Sequence, residues 1–168
     1  MIKHLSIFAA AMIAAATFGT AVPAAADTTQ AVQLAAKMKF PPPVAERKKN
    51  MKALSSNMKG MKKALGSKDM KAAAKHAAGL VKASGVLSKK ADTLFGKETA
   101  AVKGTRAKQA IWKDWAKFKA GLDALHKSSV SLASAVKSGG DAAGAFKAVG
   151  KTCSSCHKAF RGPKPKKM

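Results

Sequence analysis

The chain has 168 residues and sets 32 Lys and Arg against 8 Asp and Glu, a formal net charge of +24 at pH 7. The eight acids are scattered, and no paired-carboxylate, Ser/His/Asp or phosphate-loop constellation accompanies them, so the sequence predicts no enzyme of those kinds. A positive field of this size attracts anionic partners or surfaces, but the export signal described next argues against nucleic acid as one of them.

Lys3 and His4 precede an apolar run from Leu5 to Phe18, and Ala24-Ala25-Ala26 follows before Asp27. This pattern predicts a cleaved secretory signal peptide over residues 1–26 and a periplasmic mature chain beginning at Asp27. The run is too short and too rich in alanine to predict stable membrane insertion. Residues 27–42 read as a lead-in, either a short extra helix or a loose segment.

The chain lacks tyrosine, has few β-branched residues and shows no alternating stretch, so no strands are expected. Four helical stripes appear instead. Between Pro43 and Leu65, Arg47, Met51, Leu54, Met58, Met61 and Leu65 recur at steps of four and three. Between Lys68 and Phe95 the inward series runs from Met70 through Ala73, Ala77, Leu80, Ser84, Leu87 and Ala91 to Leu94. A third runs from Ile111 through Trp115, Phe118, Leu122, Leu125, Ser129 and Leu132 to Val136. The last comprises Ala142, Phe146, Val149, Cys153, Cys156 and Phe160. Each stripe has lysine on its outer side, the pattern of an amphipathic helix.

Pro41-Pro42-Pro43 can open the first helix, where a missing N–H costs nothing. Gly66-Ser67 and Ser138-Gly139-Gly140 make short turns, with Asp141 as an N-cap. Short connections favour antiparallel neighbours, so residues 43–162 are predicted to form an all-α, up-down-up-down four-helix bundle. Residues 163–168 form a basic tail. Alanine and serine take four of the eight places of the second stripe, and small side chains also occur on the fourth, so the stripes bury little area and leave an interior that something else should fill.

The two cysteines would ordinarily suggest a disulfide in an oxidising compartment. Only two residues separate them, so a bridge would remove little unfolded-chain entropy. Cys153-Ser154-Ser155-Cys156-His157 is instead the attachment pattern of haem c. Two thiols one helical turn apart can add to the two vinyl groups of one porphyrin edge, and His157 can rise onto the iron from the same helix. A thiol oxidoreductase would place the pair after a strand. A zinc site would need a fourth ligand from His76 or His126, and neither stands at metal spacing; both read as solvated helix histidines.

The only methionine after the motif is Met168, so a sixth iron ligand must come from upstream. Met51 is the candidate, either bonded to iron or covering the distal face as apolar filler. Arg47 lies on an apolar stripe and needs an anion, which a haem propionate would supply. Arg161, one turn beyond His157, is a candidate for a place beside the imidazole or a propionate; a surface position near the helix end is the alternative.

Taken together these residues resemble the class II c-type cytochromes, the cytochrome c′ family. The resemblance runs from about Val44 to Arg161. It rests on Cys153-Ser-Ser-Cys156-His157 with Lys158-Ala159-Phe160-Arg161, on Thr105-Arg106-Ala107-Lys108-Gln109-Ala110-Ile111-Trp112 with Phe118, and on Arg47 with Met51. It implies a covalent haem c near the C-terminal helix, a proximal ligand at His157, a distal residue at Met51 and a propionate partner at Arg47. Departures are the proline-rich lead-in, Phe160 where a hydroxylated aromatic is common, and the high positive charge.

The resemblance leaves two functions open. With Met51 on the iron the protein would be a single-electron carrier with an acidic redox partner, since Met/His ligation raises the potential. With the iron five-coordinate it would bind nitric oxide or carbon monoxide in sensing or detoxification. The thioether of Met51 favours the carrier. The family also implies a homodimer, although the lysine-rich outer faces would repel.

Overall fold

A computed structural model describes residues 40–163. The predicted signal peptide, the lead-in before Phe40 and the tail beyond Pro163 lie outside the described residues. Helix α1 spans Pro42–Gly66 with proline in its first turn, as expected of a residue that lacks the N–H. Helix α2 spans Met70–Lys89, and the Asp69 carboxylate caps it by accepting from Ala72 N at 2.9 Å. A single turn α3, Ala91–Leu94, and a 3₁₀ turn, Lys97–Thr99, lead into the long connection. Helix α4 is a short turn over Ala110–Lys113, α5 spans Trp115–Ser138 and α6 spans Ala142–Phe160. Gly139 ends α5 in the left-handed region at φ 71°, where glycine carries no Cβ penalty. Asp141 then caps α6 through Gly144 N at 2.7 Å.

The four long helices are the predicted bundle, with two interruptions that the periodicity did not show. The second stripe breaks at Lys90 before α3, which carries Leu94 and Phe95 into the core. The third breaks at Asp114, with φ −125° and ψ 57°, so α4 and α5 are separate. That break sets the Trp112 indole so that its N–H donates to Phe95 O at 2.7 Å. Met70, predicted to face inward, is 42% exposed because it is the first residue of α2 and lies past the end of the packed layers.

Successive long helices close three seams of the bundle: α1 on α2, α2 on α5 and α5 on α6. The fourth neighbours, α1 and α6, scarcely touch. In the first seam a Cβ on Gly60 would collide with the His76 ring and one on Gly79 with the Asn57 amide, so each glycine is the socket for a side chain of the other helix. His76 Nδ1 lies 3.1 Å from Asn57 Oδ1. In the second seam His126 packs over Gly85, with Nδ1 3.2 Å from Ser84 Oγ. Both histidines are therefore half-buried between helices rather than solvated. Buried Ser84 and Ser129 return their hydroxyls to Leu80 O and Leu125 O, at 2.7 and 2.8 Å, which satisfies them inside an apolar stripe. Among the described residues no helix is long and apolar enough to cross a membrane.

Candidate functional site

The open seam between α1 and α6 is the mouth of a cavity of about 730 Å³. Arg47, Met51, Leu54 and Met58 line it from α1, and Phe118, Leu122 and Leu125 from α5. Cys153, Cys156, His157 and Phe160 line it from α6, because spacings of three, four and seven share one helical face. The loop from Gly104 to Ala107 closes one end. All six sequence-predicted site residues, including Arg161, border this one space. His76 and His126 do not. An aromatic cluster supports the wall: Phe118 lies edge-on to Phe95 and Phe160, with centroids 4.7 and 5.2 Å away.

Cys153 and Cys156 are free, half-buried thiols. Burial raises both above the usual thiol range, and the neighbouring Cys153 adds to the shift at Cys156. They are held protonated in the ordinary pH range. The opposite happens at His157: partial burial first, then the charges of Arg161 and Arg106, lower its pKa. A neutral imidazole keeps a nitrogen lone pair available for a metal.

Arg47 is 3% exposed, an uncommon position for a guanidinium. Its Nη1 donates to Leu94 O at 3.2 Å and to Thr99 Oγ1 at 3.0 Å, while the Thr99 hydroxyl donates to Gly96 O at 2.8 Å. Its carbon lies 5.0 Å from the Phe95 ring centroid. Nη2 is buried and has no hydrogen-bond partner among the described residues. Burial lowers the pKa, but a guanidinium stays charged, so the group calls for an anion at the cavity wall. A carboxylate-bearing macrocycle held by two thiols and an imidazole fits this set of donors. A zinc ion does not: among the described residues no three His, Cys, Asp or Glu side chains cluster as metal ligands.

The sequence reading missed Arg106 as a site residue. Its Nε donates to Gly162 O at 2.8 Å and Pro163 O at 3.1 Å, and Gly162 N returns a bond to Arg106 O at 2.7 Å. Lys108 N donates to Phe160 O at 3.0 Å. The cavity-closing loop is thus tied to the end of the helix that carries His157. A loop residue has no periodicity to place it; the only available signal was that Arg106 lies within the Thr105–Trp112 stretch that resembles known sequences.

Residues 42–161 match a family model described as Cytochrome C'. Over 69 residues the chain is 44% identical to a cytochrome c' of Rhodospirillum rubrum, covering 40% of this chain and 47% of that protein. That stretch spans about half the relative's length. Two solved structures are matched almost end to end. The cytochrome c' of Rhodobacter Spheriodes is 32% identical with a TM-score of 0.62, covering 73% of this chain and 96% of that one. The nitric oxide complex of a mutant cytochrome c prime from Alcaligenes xylosoxidans is 25% identical with a TM-score of 0.62, covering 72% and 94%.

Proposed function

Because this chain belongs to the cytochrome c′ family and carries its covalent haem c, we propose that it is a periplasmic haem protein that binds nitric oxide or carbon monoxide beside Met51. The observation that carries this reading is the character of the cavity wall. Met51, Leu54 and Met58 offer α1's apolar surface, and among the described residues His157 is the only histidine at the cavity. A small neutral gas needs no charged partner to enter such a space. A relative of the same fold has been caught with nitric oxide bound.

Bound haem supplies the iron, with its ligand position and its ferric/ferrous couple. The chain does the rest. Cys153 and Cys156 tether the porphyrin edge, protonated and unpaired until attachment. His157, held neutral by its surroundings, would hold the iron through a ring nitrogen. Arg47 would hold a propionate through Nη2, with Nη1 already fixed by Leu94 and Thr99. Arg161 adds positive charge next to His157. Met51 would cover the iron's open side with apolar surface. Binding of this kind, in sensing or detoxification, is a carrier or ligand-binding role rather than classical enzyme turnover.

One observation favours a second reading, single-electron transfer with His157 and Met51 as axial ligands: Met51 brings a thioether to the cavity wall where a leucine could not coordinate. Visible spectra of the oxidised protein and of Met51→Leu separate the two. Gas binding predicts a high-spin spectrum in both proteins and a new band when carbon monoxide meets the reduced form. A low-spin parent that becomes high-spin in Met51→Leu would overturn it in favour of the carrier.

A further inference from the structure

Exposed lysines stand on all four long helices, and two rows of them belong to the helices beside the open seam. On α1, Lys48, Lys52 and Lys59 are separated by four and seven residues, which puts them on one face. On α6, Lys147, Lys151 and Lys158 repeat the same two intervals. All six are exposed. Lys48 borders the cavity itself, as does Arg161, which lies three residues beyond Lys158 on the same face. The rows therefore run along exposed faces of the two helices that flank the open seam, and Lys48 at one end of the α1 row reaches its mouth.

These rows have no counter-charge. Helix α6 contains no acidic residue, and the only acid of α1, Glu46, is paired with Lys90 at 3.0 Å. Among the described residues no ion pair involves a row lysine; Lys117 and Lys119 hold the other two pairs. A third row, Lys71, Lys75, Lys82 and Lys89 on α2, has the same periodicity but lies on a helix packed between α1 and α5, away from the seam. A purely solvated coat would make the three rows equivalent. Only two of them frame an opening.

We propose that the α1–α6 seam is the docking surface for an acidic protein, which sets a carboxylate-rich surface against the two lysine rows. An anionic bilayer would meet the α2 row as readily as the other two, whereas an acidic protein can be confined to the two rows beside the seam. Rim charges of this kind mainly raise the association rate and select the partner, with an effect that salt screens. The inference rests on the haem reading only in that the partner would cover the mouth of the haem cavity, and so belongs to the class of redox proteins.

The test uses the exported, haem-loaded protein and an oxidised flavodoxin, an acidic redox protein, as the probe. Its affinity is measured by calorimetry at low and high salt for the parent and two variants with equal charge change. One is Lys52→Glu/Lys59→Glu/Lys151→Glu at the seam; the other is Lys75→Glu/Lys82→Glu/Lys89→Glu on α2. The seam variant is expected to bind about 10-fold more weakly and the α2 variant less than about 2-fold. Equal weakening, or no salt-sensitive binding by the parent, overturns the proposal. Phosphatidylglycerol vesicles form a second arm: stronger discrimination between the variants by vesicles than by flavodoxin would also overturn it. Circular dichroism verifies that both variants fold. A protein without covalent haem absorbance would refute the haem reading, while the comparison of affinities would still decide the docking surface.

Discussion

Arg47 carries the clearest energetic conflict at a single residue. A nearly buried guanidinium with one unpartnered nitrogen costs desolvation in the haem-free chain, and an anion placed against it would recover that cost. Arg47→Met should therefore have different effects in the two forms. In the haem-free chain, relief of desolvation offsets the lost bonds to Leu94 and Thr99, and denaturant unfolding should move by less than about 1 kcal/mol. In the haem-loaded protein the proposed charge-assisted bond to a propionate would also be lost, and stability should fall by about 1.5–3 kcal/mol. Equal losses in both forms would show that Arg47 serves only Leu94 and Thr99. Its place on an apolar stripe was legible in the sequence. Its bond to Thr99, from a turn about fifty residues later, was not.

At the scale of elements, the packing of α1 on α2 depends on glycine sockets that hold Asn57 and His76. Gly60→Ala places a methyl group where the His76 ring stands and should cost about 1–3 kcal/mol, as overpacking does. In a His76→Ala background the same substitution should cost much less, a non-additivity that a double-mutant cycle measures directly. The C-terminal end of α6 depends on a different device, the loop that Arg106 pins to Gly162 and Pro163. Arg106→Ala should lower stability by about 1–2 kcal/mol and speed hydrogen exchange in the last turn of α6, where His157 lies. Unchanged exchange there would mean that the clamp does not position the helix end. Helix identities and most inward faces followed from three-and-four periodicity. The breaks at Lys90 and Asp114 did not, because each serves a contact with another element, as in the Trp112 bond to Phe95 O.

For the molecule as a whole, charge works against compactness. A chain of net charge +24 has three ion pairs among its described residues, all partly or largely exposed. Exposed pairs contribute little, so self-repulsion should dominate. Raising the salt concentration from about 0.01 to 0.15 M shortens the Debye length from about 30 to 8 Å. The unfolding temperature should therefore rise over that range; a fall would show that the ion pairs outweigh the repulsion. Haem attachment is the other whole-molecule term, since α1 and α6 meet chiefly through the cavity between them. Cys153→Ser/Cys156→Ser should lose its haem to acidic organic extraction and unfold at a lower denaturant concentration than the parent.

The sequence by itself determined the helical class, most of the stripes and the haem-attachment motif of Cys153, Cys156 and His157. Those features are local: periodicity is written within one helix, and the attachment motif fits within two turns. Tertiary structure alone decided that α1 and α6 stand apart, that Met51 and Arg47 share a cavity with the motif about a hundred residues away, and that Arg106 ties the loop to α6. It also decided that His76 and His126 fill helix seams rather than face water. Such outcomes depend on which surfaces meet, and a lysine row looks the same in sequence whether it faces open solvent or lies on a helix beside a cavity.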